Sequence, residues 1–238
     1  MSLNKHRVVI IGGTSGIGLA TAQAFINEAA QVIIASRSLQ NLEKAKQELN
    51  GDIEAYELDF REEEKVAEFF ERVGRFDHLI ITAGEGIMGD FRDLPIREAH
   101  SAFDSKFWGQ YIIVKAAIPY LNEKSSITLT SGIYATRPPK GASLFAAVNS
   151  AIEGLMRGLT LDLAPIRINV VSPGLVETPM YAGLSEEERK NLFSSVAKQL
   201  PVGHIAQPED IAETYVYLAK NGFTTGSVII IDGGAQLS

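Results

Sequence analysis

Val8-Val9-Ile10-Ile11-Gly12-Gly13-Thr14-Ser15-Gly16-Ile17-Gly18 runs from four β-formers into glycines and then into a helical pattern. The stretch reads as a strand, a tight turn and the start of a helix. With no side chains at Gly12, Gly16 and Gly18, the turn lets its backbone N–H groups approach an anion closely. The following helix points its positive dipole end at the same place. Those are the physical requirements for holding a dinucleotide pyrophosphate.

The alternation continues outward from there. Ile17 to Ala29 places Ile17, Ala20, Ala24 and Phe25 at helical spacing, and Gln31 to Ala35 is a buried-strand run. Leu39 to Asn50 reads as a surface helix with Leu42, Ala45 and Leu49 inward, stopped by Gly51, and Ile53 to Leu58 as the next strand. Arg61 to Val73 repeats the helix with Val66, Phe69, Phe70 and Val73 inward, before a strand over Asp77 to Thr82. Parallel strands need crossover connections, so this order predicts βαβ units around a parallel sheet. An unusually long helical pattern spans Ile96 to Leu121, followed by a strand over Ser126 to Thr130. A second long helix is predicted from Ser143 to Ala164; its Ala146, Ala147, Ala151, Gly154 and Gly158 suit close packing, on the sheet or against a second subunit. Arg167 to Ser172 is a strand ended by Pro173-Gly174. Leu175 to Gln199 is a long excursion of the lid or binding-loop kind, with a charged helix at Glu186 to Lys190. A helix over Pro208 to Lys220 and a strand over Val228 to Ile231 complete the pattern. No linker or repeat divides residues 1–238, which read as one α/β domain with a substrate-loop excursion at about 175–200.

With 238 residues, 45% of them hydrophobic, the chain can bury a full core. A net charge of −7 and a pI near 5.2 argue against a nucleic-acid partner, because no basic stripe neutralises phosphates. The absence of cysteine excludes disulfides, thiolate metal sites and cysteine nucleophiles. His6, His78, His100 and His204 lie far apart without a ligand-like spacing, so no metal is expected. No apolar run is long enough for a signal-peptide core or a membrane span, and a cytoplasmic location without membrane contact is expected.

Several blocks, in order, resemble the short-chain dehydrogenase/reductase family across essentially the whole chain. They are Gly12-x-x-x-Gly16-Ile17-Gly18; Thr82-Ala83-Gly84, at the place of the family's Asn-Asn-Ala-Gly; Ile168 to Gly174 with Thr178-Pro179; and Gly203, Pro208 to Ala212, Gly226 and Asp232-Gly233-Gly234. The resemblance implies a single-domain, Rossmann-type, doubly wound parallel sheet of about seven strands, with the cofactor across the carboxyl ends of the strands where strand order reverses. It also implies a homodimer or homotetramer formed through the two long helices. Ile11 stands where the family usually has Thr, and Ile81-Thr82 replace its paired Asn. These departures are expected to remove internal hydrogen bonds without touching the pyrophosphate turn.

The cofactor site is therefore expected at Gly12, Thr14, Ser15, Gly16, Ile17 and Gly18 with Ala83, Gly84 and Val176, and the resemblance implies that Pro173, Gly174 and Thr178 meet the nicotinamide. An acidic residue after the second strand would bind a ribose 2′-hydroxyl and repel a 2′-phosphate. Here Ser36 and Arg37 stand there instead, and a guanidinium beside hydroxyls binds phosphate, so NADPH is expected over NADH. Asp59 resembles the family residue that meets the adenine, with Phe60 beside it.

Ketone reduction needs a hydride donor, a proton donor and a group that steadies the developing oxyanion. The family supplies Ser, Tyr and Lys, with an Asn on the preceding long helix. Ser131 keeps the serine. Counting about thirteen residues on for the Tyr and four more for the Lys gives Leu144 and Val148, neither of which moves a proton. Lys106 occupies the usual place of the Asn. If Lys106 projects toward Ser131 with Leu144 and Val148 as apolar walls, desolvation makes its ammonium a better proton donor; otherwise it reaches solvent or pairs with a carboxylate. Tyr134 is a second candidate acid. Two functions follow: an NADPH-dependent carbonyl reductase acting on a small-molecule carbonyl with an atypical active site, or an NADPH-binding sensor or regulator without hydride transfer. The substrate pocket is expected from Glu85 to Leu94 and Leu175 to Leu200, with Met180, Tyr181, Leu184 and Phe193 as an apolar wall.

Overall fold

The computed structural model describes residues 2–51, 53–84 and 86–238. Strands β1 (Arg7–Ile11), β2 (Gln31–Ser36), β3 (Ile53–Glu57) and β4 (His78–Ile81) alternate with helices α1 (Gly16–Asn27), α2 (Leu39–Glu48) and α3 (Glu63–Val73). Helix α4 (Ile96–Ala102) passes through a π-type turn at Phe103–Trp108 into α5 (Gly109–Ala117). Then come β5 (Ser126–Thr130), α6 (Ser143–Asp162), β6 (Arg167–Pro173), α7 (Glu186–Ala197), α8 (Pro208–Lys220) and β7 (Val228–Ile231). The seven strands form one parallel sheet in the order β3-β2-β1-β4-β5-β6-β7. Strand order reverses between β1 and β4, which is where the resemblance expects the ligand crevice.

Side chains alternate across each strand, so the two faces of the sheet receive different residues. Val9, Ile11 and Ile33 face a core shared with Phe69 and Phe70 of α3, Ile113 of α5 and Ile152 of α6. Val8, Ile10 and Ile34 face the other way, against Phe25 of α1, Leu42 of α2 and Tyr215 of α8. Each such side chain contributes about 1.5–3 kcal/mol when fully buried. The inward residues expected of α2 and α3 are all buried. The long helical pattern from Ile96 also appears, interrupted by the π-type turn; such turns bulge a helix by one residue and occur often at functional sites. The change expected at Thr82 is corrected: its hydroxyl donates to the Ile11 carbonyl at 3.2 Å, so this hydrogen bond to the end of β1 is made.

Parallel pairing of β1 with β4 corrects the picture of four separate histidines. Val8 is paired with His78, and this brings the His6 ring against His78, Nδ1 to Nε2 at 3.0 Å, with the rings stacked. The Nδ1 of His78 meets Ser126 Oγ at 2.8 Å. Among the described residues no group of three or more His, Asp or Glu could hold a metal ion, and no helix is long and apolar enough to cross a membrane. Burial, reinforced by neighbouring His6, pushes His78 from 6.5 down to about 4. The unfolded chain therefore binds the proton more readily. The stability held by neutral His78 is complete above about pH 6.5 and drains as pH falls to about 4, by on the order of 3 kcal/mol. Chemical denaturation between pH 4 and 7 is expected to show this slope, and His78→Gln to flatten it.

Candidate active site

Two adjoining cavities open at the carboxyl ends of the strands. The first, about 310 Å³, lies over the glycine turn. Gly12 and Gly16 adopt φ of 94° and 48°, conformations that favour glycine. A Cβ on Gly18 would collide with the Gly12 carbonyl oxygen and come within 2.7 Å of Thr82 Oγ1. Gly12, Thr14, Ser15, Gly16, Ile17 and Gly18 all border this cavity, as do Ser36, Arg37, Phe60, Ala83, Gly84 and Thr178. Thr14 Oγ1 donates to Ser36 Oγ at 3.2 Å, tying the turn to the end of β2. Asp59 stands apart from this group. Its carboxylate accepts from Arg61 Nε at 2.9 Å and Arg61 N at 3.1 Å, and these bonds, helped by the charge of Arg37, hold it down at about 2. Asn41 and Ser105, which the sequence reading missed, border the cavity too.

The second cavity, about 380 Å³, adjoins the first through Ile17, Thr82, Gly84, Thr178 and Met180. Pro173, Gly174 and Val176 border it, together with Lys106, Ser131 and Tyr134. Its apolar wall differs in part from the one expected. Met180 and Tyr181 belong to it, while Phe193 stands behind Tyr181, edge to face at 5.4 Å, and Leu184 is not a wall residue. The stretch 86–94 does not border it, and Glu85 lies outside the described residues. Instead Tyr134, Arg137, Pro138 and Pro139, from the segment after β5, line it. Tyr134 packs edge to face on Phe145 at 5.6 Å, and burial pushes its phenol up.

Lys106 sits in the middle of the π-type turn, only 6% exposed. It neither reaches solvent nor pairs with a carboxylate among the described residues. Its Nζ donates to the Ser131 carbonyl at 2.9 Å and to Asn149 Oδ1 at 2.6 Å, and lies 4.8 Å from the centre of the Phe145 ring. Burial pushes the ammonium from 10.5 down to about 7.

The walls around Lys106 are not the pair expected. Val148 is 1% exposed in the core with Ile152 and Met156, and Leu144 packs against the same core. Phe145 and Asn149 face the cavity in their place. A helix turns about 100° per residue, so a register error of one position exchanges a core face for a cavity face. Ser131, expected as a hydrogen-bond donor to a carbonyl or to the nicotinamide end of the cofactor, directs its hydroxyl to Glu153 Oε1 at 3.1 Å in this structure. A Cβ on Gly132 would lie 3.1 Å from Asn149 Nδ2, so it is position 132 that faces Asn149. The spacing of Phe145 and Asn149, four residues apart on α6, carried the signal that the sequence reading placed one residue early.

An open parallel sheet with a glycine cradle at its switch point defines a Rossmann-type α/β protein. The sequence profile described as enoyl-(acyl carrier protein) reductase matches residues 12–236. The short-chain dehydrogenase/reductase ATR9 of Stachybotrys chlorohalonatus is 34% identical over 99% of this chain and 99% of its own. A small-chain dehydrogenase solved in complex with NADPH superposes with a TM-score of 0.86 at 35% identity, covering 99% of this chain and 100% of that one. The MalC reductase/Diels-Alderase of Malbranchea aurantiaca superposes with a TM-score of 0.92 at 31% identity, covering 99% and 98%. The chain belongs to the short-chain dehydrogenase/reductase family.

Proposed function

We propose that the chain is an NADPH-dependent oxidoreductase of the carbonyl reductase type, with Lys106 as its proton donor. The observation that carries this reading is a buried lysine of lowered proton affinity on the wall of an apolar cavity, next to the glycine cradle. The first cavity fits a dinucleotide: Gly12, Gly16 and Gly18 let the turn pack closely against Thr82, Ala83 and Thr178 with its backbone open to a pyrophosphate, and Ser36 and Arg37 border the cavity at the end of β2, where they could take a 2′-phosphate. When bound, NADPH supplies the hydride. Lys106 gives its proton to the carbonyl oxygen as negative charge develops there, and its amine takes another from water entering the cavity. Two neutral acceptors hold Nζ in place meanwhile. Tyr134 is the weaker candidate, because burial raises its pKa and makes it a poorer acid.

The divergence extends to α6, which contains neither Tyr nor Lys. This favours a second reading, an NADPH-binding sensor without hydride transfer. NADPH consumption over a panel of aldehydes, ketones and quinones separates the two, since binding without turnover on every compound supports the sensor. Arg37→Ala is expected to weaken NADPH binding by about 10–100-fold through loss of charge-assisted hydrogen bonds, with NADH nearly unaffected. An equal loss for both, read by fluorescence titration, would remove the argument for NADPH. A homodimer or homotetramer through α5 and α6 belongs to the same reading. Half-exposed Trp108, largely exposed Leu161 and the uncovered Gly154 and Gly158 support that surface.

A further inference from the structure

We propose that Asn149 is the positioning residue of this site, its carboxamide holding the Lys106 nitrogen at the cavity wall and matching it in both protonation states. This rests on the reading of Lys106 as the proton donor. Asn149 is fully buried, and its Oδ1 takes one Lys106 N–H at 2.6 Å while the Ser131 carbonyl takes another at 2.9 Å. Its Nδ2 has no partner among the described residues. A buried donor left unpaired costs about 1–3 kcal/mol, so its retention beside Lys106 calls for a role.

The chemistry of the carboxamide supplies one. An ammonium has three hydrogens and no lone pair, so it needs acceptors, and Oδ1 is one. Once the proton has gone to substrate, the amine has two hydrogens and a lone pair, which needs a donor. A half-turn of the amide about its Cβ–Cγ bond presents Nδ2 to that lone pair and gives the unpaired donor its partner. Gly132 has no side chain to obstruct the turn; a Cβ there would come 3.1 Å from Nδ2. A carboxylate at position 149 would lock the ammonium, and an aliphatic side chain would strand it.

The surroundings leave this task to Asn149. From α6, Glu153 is held by Ser131 Oγ at 3.1 Å and lies 3.7 Å from Arg157. From the loop after β5, Tyr134 and Arg137 border the same cavity, as does Tyr181 from the excursion after β6. On the π-type turn itself Asp104 is exposed, and the end of β4 presents Gly84 against the Lys106 stem. Burial is the cause of the lowered Lys106 pKa, with no carboxylate opposing it.

The test reads Lys106 directly in the ligand-free protein. Lysine labelled with carbon-13 at Cε is titrated by NMR, and Lys106→Met identifies the signal. The midpoint is expected at about 7 in the parent protein. Asn149→Asp is expected to raise it by about 1–3 pH units, and Asn149→Leu to lower it, because the bond from the ammonium is charge-assisted and stronger than the one to the neutral amine. Asn149→Leu suits a buried position and carries the test on its own if Asn149→Asp does not fold. A midpoint unmoved by a folded variant overturns the proposal, as does a loss of NADPH affinity with the midpoint unchanged. Turnover kept in full by Lys106→Met would instead overturn the proton-donor reading, leaving the titration result standing.

Discussion

Lys106→Met is expected to lower kcat for carbonyl reduction by about 10²–10⁴-fold, the range over which a positioned general acid contributes, with NADPH affinity changed little. Methionine has a similar length and suits the apolar slot over Phe145, so the fold is retained, as circular dichroism would show. With Lys106 as the proposed proton donor, the parent protein is expected to lose kcat as pH rises through about 7, because a donor must be protonated and burial holds the Lys106 pKa there. In Lys106→Met the residual rate should lose that alkaline limb. A variant with full turnover, or with the limb intact, would place the proton donor elsewhere, and Tyr134 is the next group to test.

Gly18→Ala is expected to be as damaging at the other end of the site. The new methyl group would meet the Gly12 carbonyl oxygen and Thr82 Oγ1, both held by the backbone of the turn and its neighbouring strand. Neither belongs to a long flexible side chain that could swing aside. Relief requires moving the turn away from the start of α1, at a cost of about 3 kcal/mol. A strain of that size relieved only by displacing the pyrophosphate cradle corresponds to about a 100-fold loss of dinucleotide affinity. Thermal denaturation and fluorescence titration read the two effects separately. Unchanged binding would show that the cradle does not hold the ligand.

Much of the fold is legible in the sequence because the signals are local. The inward residues of α2 and α3 follow from helical spacing, although α2 ends at Glu48, ahead of Gly51, and β6 runs on to include Pro173. The glycine turn was legible for the same reason, since a missing Cβ constrains the backbone wherever the chain places it. The catalytic end was less so. Counting from Ser131 across the loop that precedes α6 assumes a loop length, and a difference of one residue rotates every later side chain by about 100°. The count therefore points to Leu144 and Val148 as the cavity face, whereas the structure buries Val148 in the core and packs Leu144 against it. Thr82 shows a smaller version: its identity was plain, but its bond to the Ile11 carbonyl depends on strand pairing.

By itself the sequence determined the succession of strands and helices, the glycine cradle and the presence of Arg37 at the end of β2. Those features depend on residues close together in the chain. Tertiary structure alone decided that Lys106 meets Asn149 and the Ser131 carbonyl, that Ser131 turns its hydroxyl to Glu153, and that His6 stacks on His78. Each of these contacts joins elements distant in sequence, and each hydrogen bond depends on side-chain direction to within a fraction of a helical turn. Hydrophobic spacing specifies which face is buried; it leaves open which polar group on another element that face will meet.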